Sequence, residues 1–252
     1  MQNLIFNFQD GIAHIQFNRP ESLNAFNYEM MSELYDLLQL LKDDQAVKVI
    51  LVSGNGRAFS AGVDIKETTA DGFQKQSRFM KLGEDLSDLF NDYPKVTIAQ
   101  VHGYCFTGAL EFMMFFDMAF CTEETQFGDT HAKWSIMPRW GMSQRLARRV
   151  GLQKAKELTF RAMRIKGEEA ERIGLVNRAF KEDEIDGEVQ KIIQDILGNS
   201  FEAIVAIKRL YDKGYETTLK EGLEIEANAD TRLSSTDENL SQFKTKYESH
   251  RM

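Results

Sequence analysis

Apolar and polar positions along the chain follow two periods. Residues 4–17 carry apolar side chains on both sides of Asp10-Gly11, a dipeptide suited to a tight turn, and predict a pair of short strands that ends at Asn18-Arg19-Pro20. From Tyr28 to Leu41 the positions Met30, Met31, Leu34, Tyr35, Leu37, Leu38 and Leu41 recur at helical spacing, giving a one-sided amphipathic helix. Val47 to Val52 is an apolar run interrupted only by Lys48, and it breaks at Gly54-Asn55-Gly56, as a buried parallel strand does on entering a loop.

The theme then repeats. Residues 70–91 predict a helix, Val96 to Val101 a strand, and Gly103 a turn into an apolar helix from Gly108 to Phe116. Met118 to Cys121 predicts another strand, helices follow at 142–150, 152–162 and 168–173, and a short strand at Leu175 to Ala179. Strands alternating with helices favour an α/β fold with parallel pairing. Beyond residue 187 only helical patterns remain, at Ile192 to Leu197, Phe201 to Tyr211, Leu219 to Ala229 and Leu240 to Tyr247. The expected organisation is a core domain over 1–199 and a helical subdomain over 200–252.

Composition narrows the function classes. The 252 residues carry a formal charge of −8, which argues against general affinity for nucleic acid or for an anionic membrane. A polyanionic ligand must therefore be met by a few local cations. The first ten residues lack a basic region followed by an apolar one, and the most apolar segment, Phe112 to Phe116, stops at Asp117, far too short to span a bilayer. Cys105 and Cys121 stand in apolar surroundings with no metal-ligand or disulfide spacing. A cytoplasmic protein without a membrane partner is the expectation.

Two turns offer chemistry: Arg57-Ala58-Phe59-Ser60-Ala61-Gly62-Val63-Asp64 and His102-Gly103-Tyr104-Cys105-Phe106-Thr107-Gly108-Ala109-Leu110-Glu111. In each, glycine allows close backbone approach to a ligand, and the start of a following helix leaves N–H groups free. Two such groups converging on one carbonyl oxygen make an oxyanion hole, whose loss of one donor costs about 10²–10³ in rate. Taken singly, either is equally an ordinary glycine turn. Glu111 interrupts the largely apolar run from Phe106 to Phe116. Such a carboxyl is costly to bury unless paired, hydrogen-bonded or protonated, and desolvation is expected to raise its pKa, which suits a general acid or base near neutral pH. A structural glutamate bonded to backbone or to a cation is the alternative.

Together these segments resemble a known family. Asn18-Arg19-Pro20 with Leu23-Asn24-Ala25, Ala58 to Asp64, Val101-His102-Gly103-Tyr104 with Gly108 and Glu111, Asp117, Gln126-Phe127-Gly128, and Gly174-Leu175-Val176-Asn177 stand in the order and spacing of the crotonase (enoyl-CoA hydratase/isomerase) superfamily. The resemblance implies a spiral of ββα units with a C-terminal helical region used in trimer formation, and an acyl thioester of coenzyme A as substrate. It implies oxyanion donors at the N–H groups of Val63 and Gly108, adenine contacts along the Ala61-Gly62 backbone, and Asp64 among the coenzyme A-binding residues. It places phosphate contacts at Arg57, Lys66 and Lys246, and makes Glu111 the first catalytic glutamate. A homotrimer or dimer of trimers is expected, with no redox cofactor or metal.

The chain also departs from the family. Where a second glutamate is expected, His131 stands within Asp129-Thr130-His131-Ala132-Lys133. Histidine is a competent acid or base near pH 7, or it lines the pocket bonded to Asp129. The following loop reads Pro138-Arg139-Trp140-Gly141-Met142 in place of a proline and a glycine-rich run, and Thr107 and Ala109 replace glycines that commonly flank Gly108. The expected chemistry is hydration of a 2-enoyl-CoA by Glu111 assisted by His131. One-base isomerisation, thioester hydrolysis and a non-catalytic acyl-CoA binder are the alternatives. Phe73, Phe79, Met80, Trp134 and Trp140 are candidates for the acyl-pocket wall.

Overall fold

The computed structural model describes residues 1–64, 66, 73–229, 233, 234, 236 and 240, and the side chains of 73–76 lie outside that description. The expected helix over 240–247, Lys246 and the Phe73 side chain therefore fall outside the described residues.

The chain opens with a hairpin. Strands β1 (Leu4–Gln9) and β2 (Ile12–Phe17) pair antiparallel around Asp10 and Gly11, both at positive φ, as a two-residue turn of matching twist requires. Helix α1 (Tyr28–Asp43) starts at an Asn27 side chain that accepts the Met30 N–H, and buries Met30, Met31, Leu34, Leu37, Leu38 and Leu41 on one side. Strands β3 (Val49–Gly54), β4 (Val96–Val101), β6 (Met118–Thr122) and β9 (Arg178–Phe180) continue the sheet in parallel, in the order β1-β2-β3-β4-β6-β9.

A second, small sheet runs β5 (Tyr104–Phe106), β7 (Gln126–Gly128), β8 (Arg164–Ile165). Parallel bridges extend it, Ser60 to Cys105 and Phe26 to Val63. Each pass of the chain thus adds one strand to the large sheet and one short segment to the small sheet, which is the spiral of strand–strand–helix units the resemblance implies. Helices α2 (Phe73–Asn91) and α3 (Gly108–Met113) join α1 over the face that carries Ala13, Ile15, Phe17, Ile50, Val52, Ala99 and Val101, in one continuous core. Phe17, Phe26, Phe59, Phe90, Phe112 and Phe116 meet there at ring distances of 4.8–5.8 Å, mostly edge to face.

Helices α4 (Met142–Val150), α5 (Leu152–Phe160), α6 (Gly167–Arg172) and α7 (Ile185–Leu197) complete this part. The strand expected at 175–179 lies later, at 178–180. Asn177 accounts for the shift: its N–H donates to Ala119 O and its side-chain oxygen accepts the Ala119 N–H, so the chain is tied to β6 before ladder pairing begins.

The chain divides into two compact units, Met1–Ile193 and Gln194–Met252. The described part of the second unit is built on α8 (Phe201–Tyr215), capped by the Ser200 hydroxyl, and α9 (Leu219–Ala227), which begins with a Thr218–Glu221 capping box. Neither helix has a buried residue, and Ile207, Tyr211, Tyr215, Leu219 and Leu223 are exposed. Among the described residues no helix is long and apolar enough to cross a membrane.

Candidate active site

The two turns are bolted together through their backbones. Gly103 sits at φ +64°, and a Cβ there would lie 2.0 Å from Arg57 O. Gly62 sits at φ +101°, and a Cβ there would lie 2.7 Å from Phe106 O. No other residue type fits either crossing. Ser60 N donates to Tyr104 O and Phe59 N to His102 O, which extends the pairing along both turns.

A second set of bonds fixes the loop that carries Val63. Phe26 N donates to Gly62 O and Asp64 N to Phe26 O, so Val63 lies between two ladder bonds. Fully buried Asn24 accepts the Arg19 N–H and donates from Nδ2 to Asn55 O (2.9 Å) and Ala58 O (2.7 Å). Arg19 pairs with Asp64 at 3.1 Å and also reaches Ala25 O. The Asn-Arg-Pro and Leu-Asn-Ala segments are thus a brace for this loop. The Asp64 carboxylate accepts from Arg19 and from the Lys66 N–H, and its own N–H donates to Phe26 O, so Asp64 belongs to the brace.

Gly108 opens α3 behind Thr107, whose φ of +50° is costly for a β-branched residue. The glycine commonly found there avoids that cost. Here the Thr107 hydroxyl is tied to Thr130 Oγ1 at 2.5 Å, and Thr107 N donates to Gly128 O. A Cβ on Gly108 would stand 2.9 Å from Val63 Cγ2 and 3.6 Å from Val63 N, so the two residues are neighbours. Among the described residues, no protein acceptor is bonded to the N–H of Val63 or of Gly108.

Glu111, on the first turn of α3, is 3% exposed. Its Oε1 accepts the N–H groups of Trp140 (2.9 Å) and Met142 (3.0 Å), which answers how the apolar helix tolerates it. Its Oε2 faces His131 Nε2 at 3.5 Å. Glycine at 141, at φ +101°, turns the chain so that both N–H groups reach the same oxygen.

His131 is held from the other side. Asp129 Oδ1 accepts both its backbone N–H (3.1 Å) and its ring Nδ1–H (2.7 Å), and Asp129 Oδ2 accepts the Thr159 hydroxyl at 2.6 Å. Burial alone would lower the His131 pKa, but hydrogen bonds and charge from Asp129 and Glu111 outweigh it and raise it to about 9. Burial likewise disfavours the Asp129 carboxylate, yet its bonds to His131 and Thr159 hold its pKa below the usual value. The site therefore presents an imidazolium between two carboxyl groups at neutral pH. Asp129 and His131 are bonded to each other, and among the described residues no group of three His, Cys, Asp or Glu side chains is placed to hold a metal ion.

The structure brings Glu111, His131, Val63 and Gly108 together, along with the Ala61-Gly62 backbone. Arg57 and Lys66 are exposed on the same turn segment. Of the expected wall residues, Phe79 and Trp140 are buried with rings 5.5 Å apart, whereas Trp134 is 63% exposed and is no wall within this chain. Asp129 could be suspected from its spacing to His131, but Thr159 is far away in sequence with nothing to mark it.

Comparison with known proteins bears on the chain as a whole. The enoyl-CoA hydratase/isomerase family matches residues 7–250. A crotonyl-CoA hydratase of Syntrophomonas wolfei is 32% identical over 229 residues, 90% of this chain and 88% of that protein. A short-chain-enoyl-CoA hydratase of Clostridium acetobutylicum is 30% identical over 94% of this chain and 92% of its own length. The crystal structure of an enoyl-CoA hydratase from Bacillus anthracis superimposes with a TM-score of 0.93 at 26% identity, covering 97% of both chains. From its spiral fold to its paired turns, the chain belongs to the enoyl-CoA hydratase/isomerase family.

Proposed function

We propose that the protein is an enoyl-CoA hydratase that adds water reversibly across the 2,3 double bond of an acyl-CoA thioester, using Glu111 as base and His131 as acid. The observation that carries this reading is the Glu111–His131 pair itself, buried at 3.5 Å beside two unbonded N–H groups. In hydration, the Val63 and Gly108 N–H groups would receive the thioester oxygen and the negative charge that builds on it. Glu111 Oε2 takes a proton from water as its oxygen bonds to Cβ. The imidazolium of His131 delivers a proton to Cα as the enolate collapses. Glu111 then holds a proton and His131 has lost one, and transfer between them restores the starting state.

The two-sided support of His131 favours a pair of acid/base groups over a single-base isomerase or hydrolase. A neutral histidine would be a poor proton donor to carbon, and Asp129 and Glu111 together keep it charged. Coenzyme A is the only cofactor-like group required, and it arrives with the substrate. Arg57 and Lys66 are the proposed phosphate contacts, together with Lys246, and the Ala61-Gly62 backbone the proposed adenine contact. The exposed apolar side chains of α8 and α9 support assembly as a homotrimer or a dimer of trimers.

Incubation with crotonyl-CoA tests the reaction class. Loss of the conjugated thioester absorbance, with 3-hydroxybutyryl-CoA as product, is the expected result. Release of free coenzyme A thiol, or turnover only of a 3-enoyl-CoA by bond migration, would replace the hydratase reading.

A further inference from the structure

The loop after His131 departs from the glycine-rich pattern by placing an indole inside the site. Trp140 is 2% exposed, and its backbone N–H is one of the two that hold Glu111. The ring is clamped on three sides. Its Nε1–H donates to Met80 O at 3.1 Å, the Phe79 ring lies 5.5 Å away, and α2 is indented beneath it at Gly83. A Cβ on Gly83 would stand 2.0 Å from indole Cε2 and 2.1 Å from Nε1, so the helix makes room for this ring only by lacking a side chain. The opposite edge reaches the proposed oxyanion hole, where a Cβ on Gly108 would lie 3.2 Å from indole Cζ3.

These contacts locate the ring with respect to a bound substrate. With the thioester oxygen at the Val63 and Gly108 N–H groups and Cβ beside Glu111 Oε2, the chain beyond Cβ heads into the space bounded by Glu111, Gly108 and α2. The indole fills that space, where a glycine at position 140 would leave room for several methylene groups. The ring has a built seat, so it cannot swing aside without losing its hydrogen bond and its packing.

We propose that Trp140, seated on Gly83, closes the acyl pocket and restricts the enzyme to short-chain 2-enoyl-CoA thioesters. The assignment rests on the hydratase reading for the position of the thioester. Glycine at 83 and tryptophan at 140 act as one device, because the first is the seat of the second.

The test compares crotonyl-, 2-hexenoyl- and 2-octenoyl-CoA as substrates of the full-length wild type, Trp140→Ala and Trp140→Phe, alongside calorimetric binding of butyryl- and octanoyl-CoA. In wild type, kcat/KM is expected to fall by about tenfold or more from crotonyl- to octenoyl-CoA, the discrimination that a filled apolar pocket gives. In Trp140→Ala the octenoyl-to-crotonyl ratio is expected to rise by about tenfold or more, with a smaller rise in Trp140→Phe. The ratio is internal to each variant, so a general loss of activity does not obscure it, and the phenylalanine variant carries the test if the alanine variant fails to fold. Wild type turning over octenoyl-CoA as well as crotonyl-CoA would overturn the proposal, as would a ratio unchanged in both variants. If no enoyl-CoA is hydrated but octanoyl-CoA gains affinity over butyryl-CoA in Trp140→Ala, the stopper stands and the hydratase reading falls. Equal gains for both thioesters would remove the stopper.

Discussion

Asp129→Asn isolates the charge behind His131. Asparagine keeps an Oδ1 acceptor for the Nδ1–H and backbone N–H of His131 and places an amide opposite Thr159, so the geometry survives while the negative charge is lost. The two groups that raise His131 to about 9 are Asp129, 2.7 Å from Nδ1, and Glu111, 3.5 Å from Nε2. Since Asp129 is the nearer, its removal should lower the histidine by roughly 1–2 units, leaving Glu111 to hold the remainder against burial. At pH 8 the imidazolium fraction would then fall from about nine-tenths to roughly a quarter. The assay is kcat/KM for crotonyl-CoA across pH 5–10, which reports the ionisations of the free enzyme. The alkaline limb should sit near pH 9 in wild type and move down by the same roughly 1–2 units in the variant. An alkaline limb that does not move, or one already near 6.5 in wild type, would refute the assignment of His131 as the charged acid.

Three further outcomes follow from the same contacts. Because folding raises the His131 pKa from 6.5 to about 9, its contribution to stability is fully present below pH 6.5 and is lost as pH rises through 9. The loss amounts to about 3 kcal/mol, and urea midpoints at pH 6 and 9.5 should differ accordingly in wild type and much less in His131→Gln. Asn24→Ala strips three hydrogen bonds made by a buried side chain in the brace of the Val63 loop, so a destabilisation of about 3 kcal/mol and a fall in kcat are expected; unchanged kcat would separate the brace from the oxyanion hole. Gly83→Ala forces a methyl into the fixed Trp140 ring and should cost about 1–3 kcal/mol, whereas Gly187→Ala, at an exposed position of α7 with nothing within 4 Å, should stabilise by about 0.5–1 kcal/mol. Thermal melts of the two variants shifting in the same direction would contradict the seat described for Trp140.

Much of the fold was legible because its signals are local. The Asp10-Gly11 hairpin, the one-sided helix at 28–43 and the buried strands at 49–54 and 96–101 each carry a full period within a few residues. The strands of the small sheet are two or three residues long, too short for any period, and become strands only through partners far along the chain. The strand at 178–180 was displaced by a side-chain interaction, Asn177 with Ala119, that no pattern encodes. The site divides in the same way. Glu111 stood out as a carboxyl in an apolar helix, but its two backbone donors come from a loop about thirty residues on. His131 was legible as a departure from a pattern, while its charge depends on Asp129 and Glu111 together outweighing burial. Trp134 and Trp140 look equivalent in sequence, yet one is exposed and the other is clamped by α2, a distinction made entirely by tertiary packing.

The central claim is that Glu111 and His131 act as a base and acid pair in hydration. The most direct test is kcat/KM for crotonyl-CoA in wild type, Glu111→Gln and His131→Gln at pH 7.5, with binding of butyryl-CoA as a control for folding. The pair predicts hydration by wild type and a loss of about 10²–10⁴ in each variant, with butyryl-CoA binding largely retained. Full activity in His131→Gln would leave Glu111 as a lone base, and full activity in Glu111→Gln would place the chemistry elsewhere.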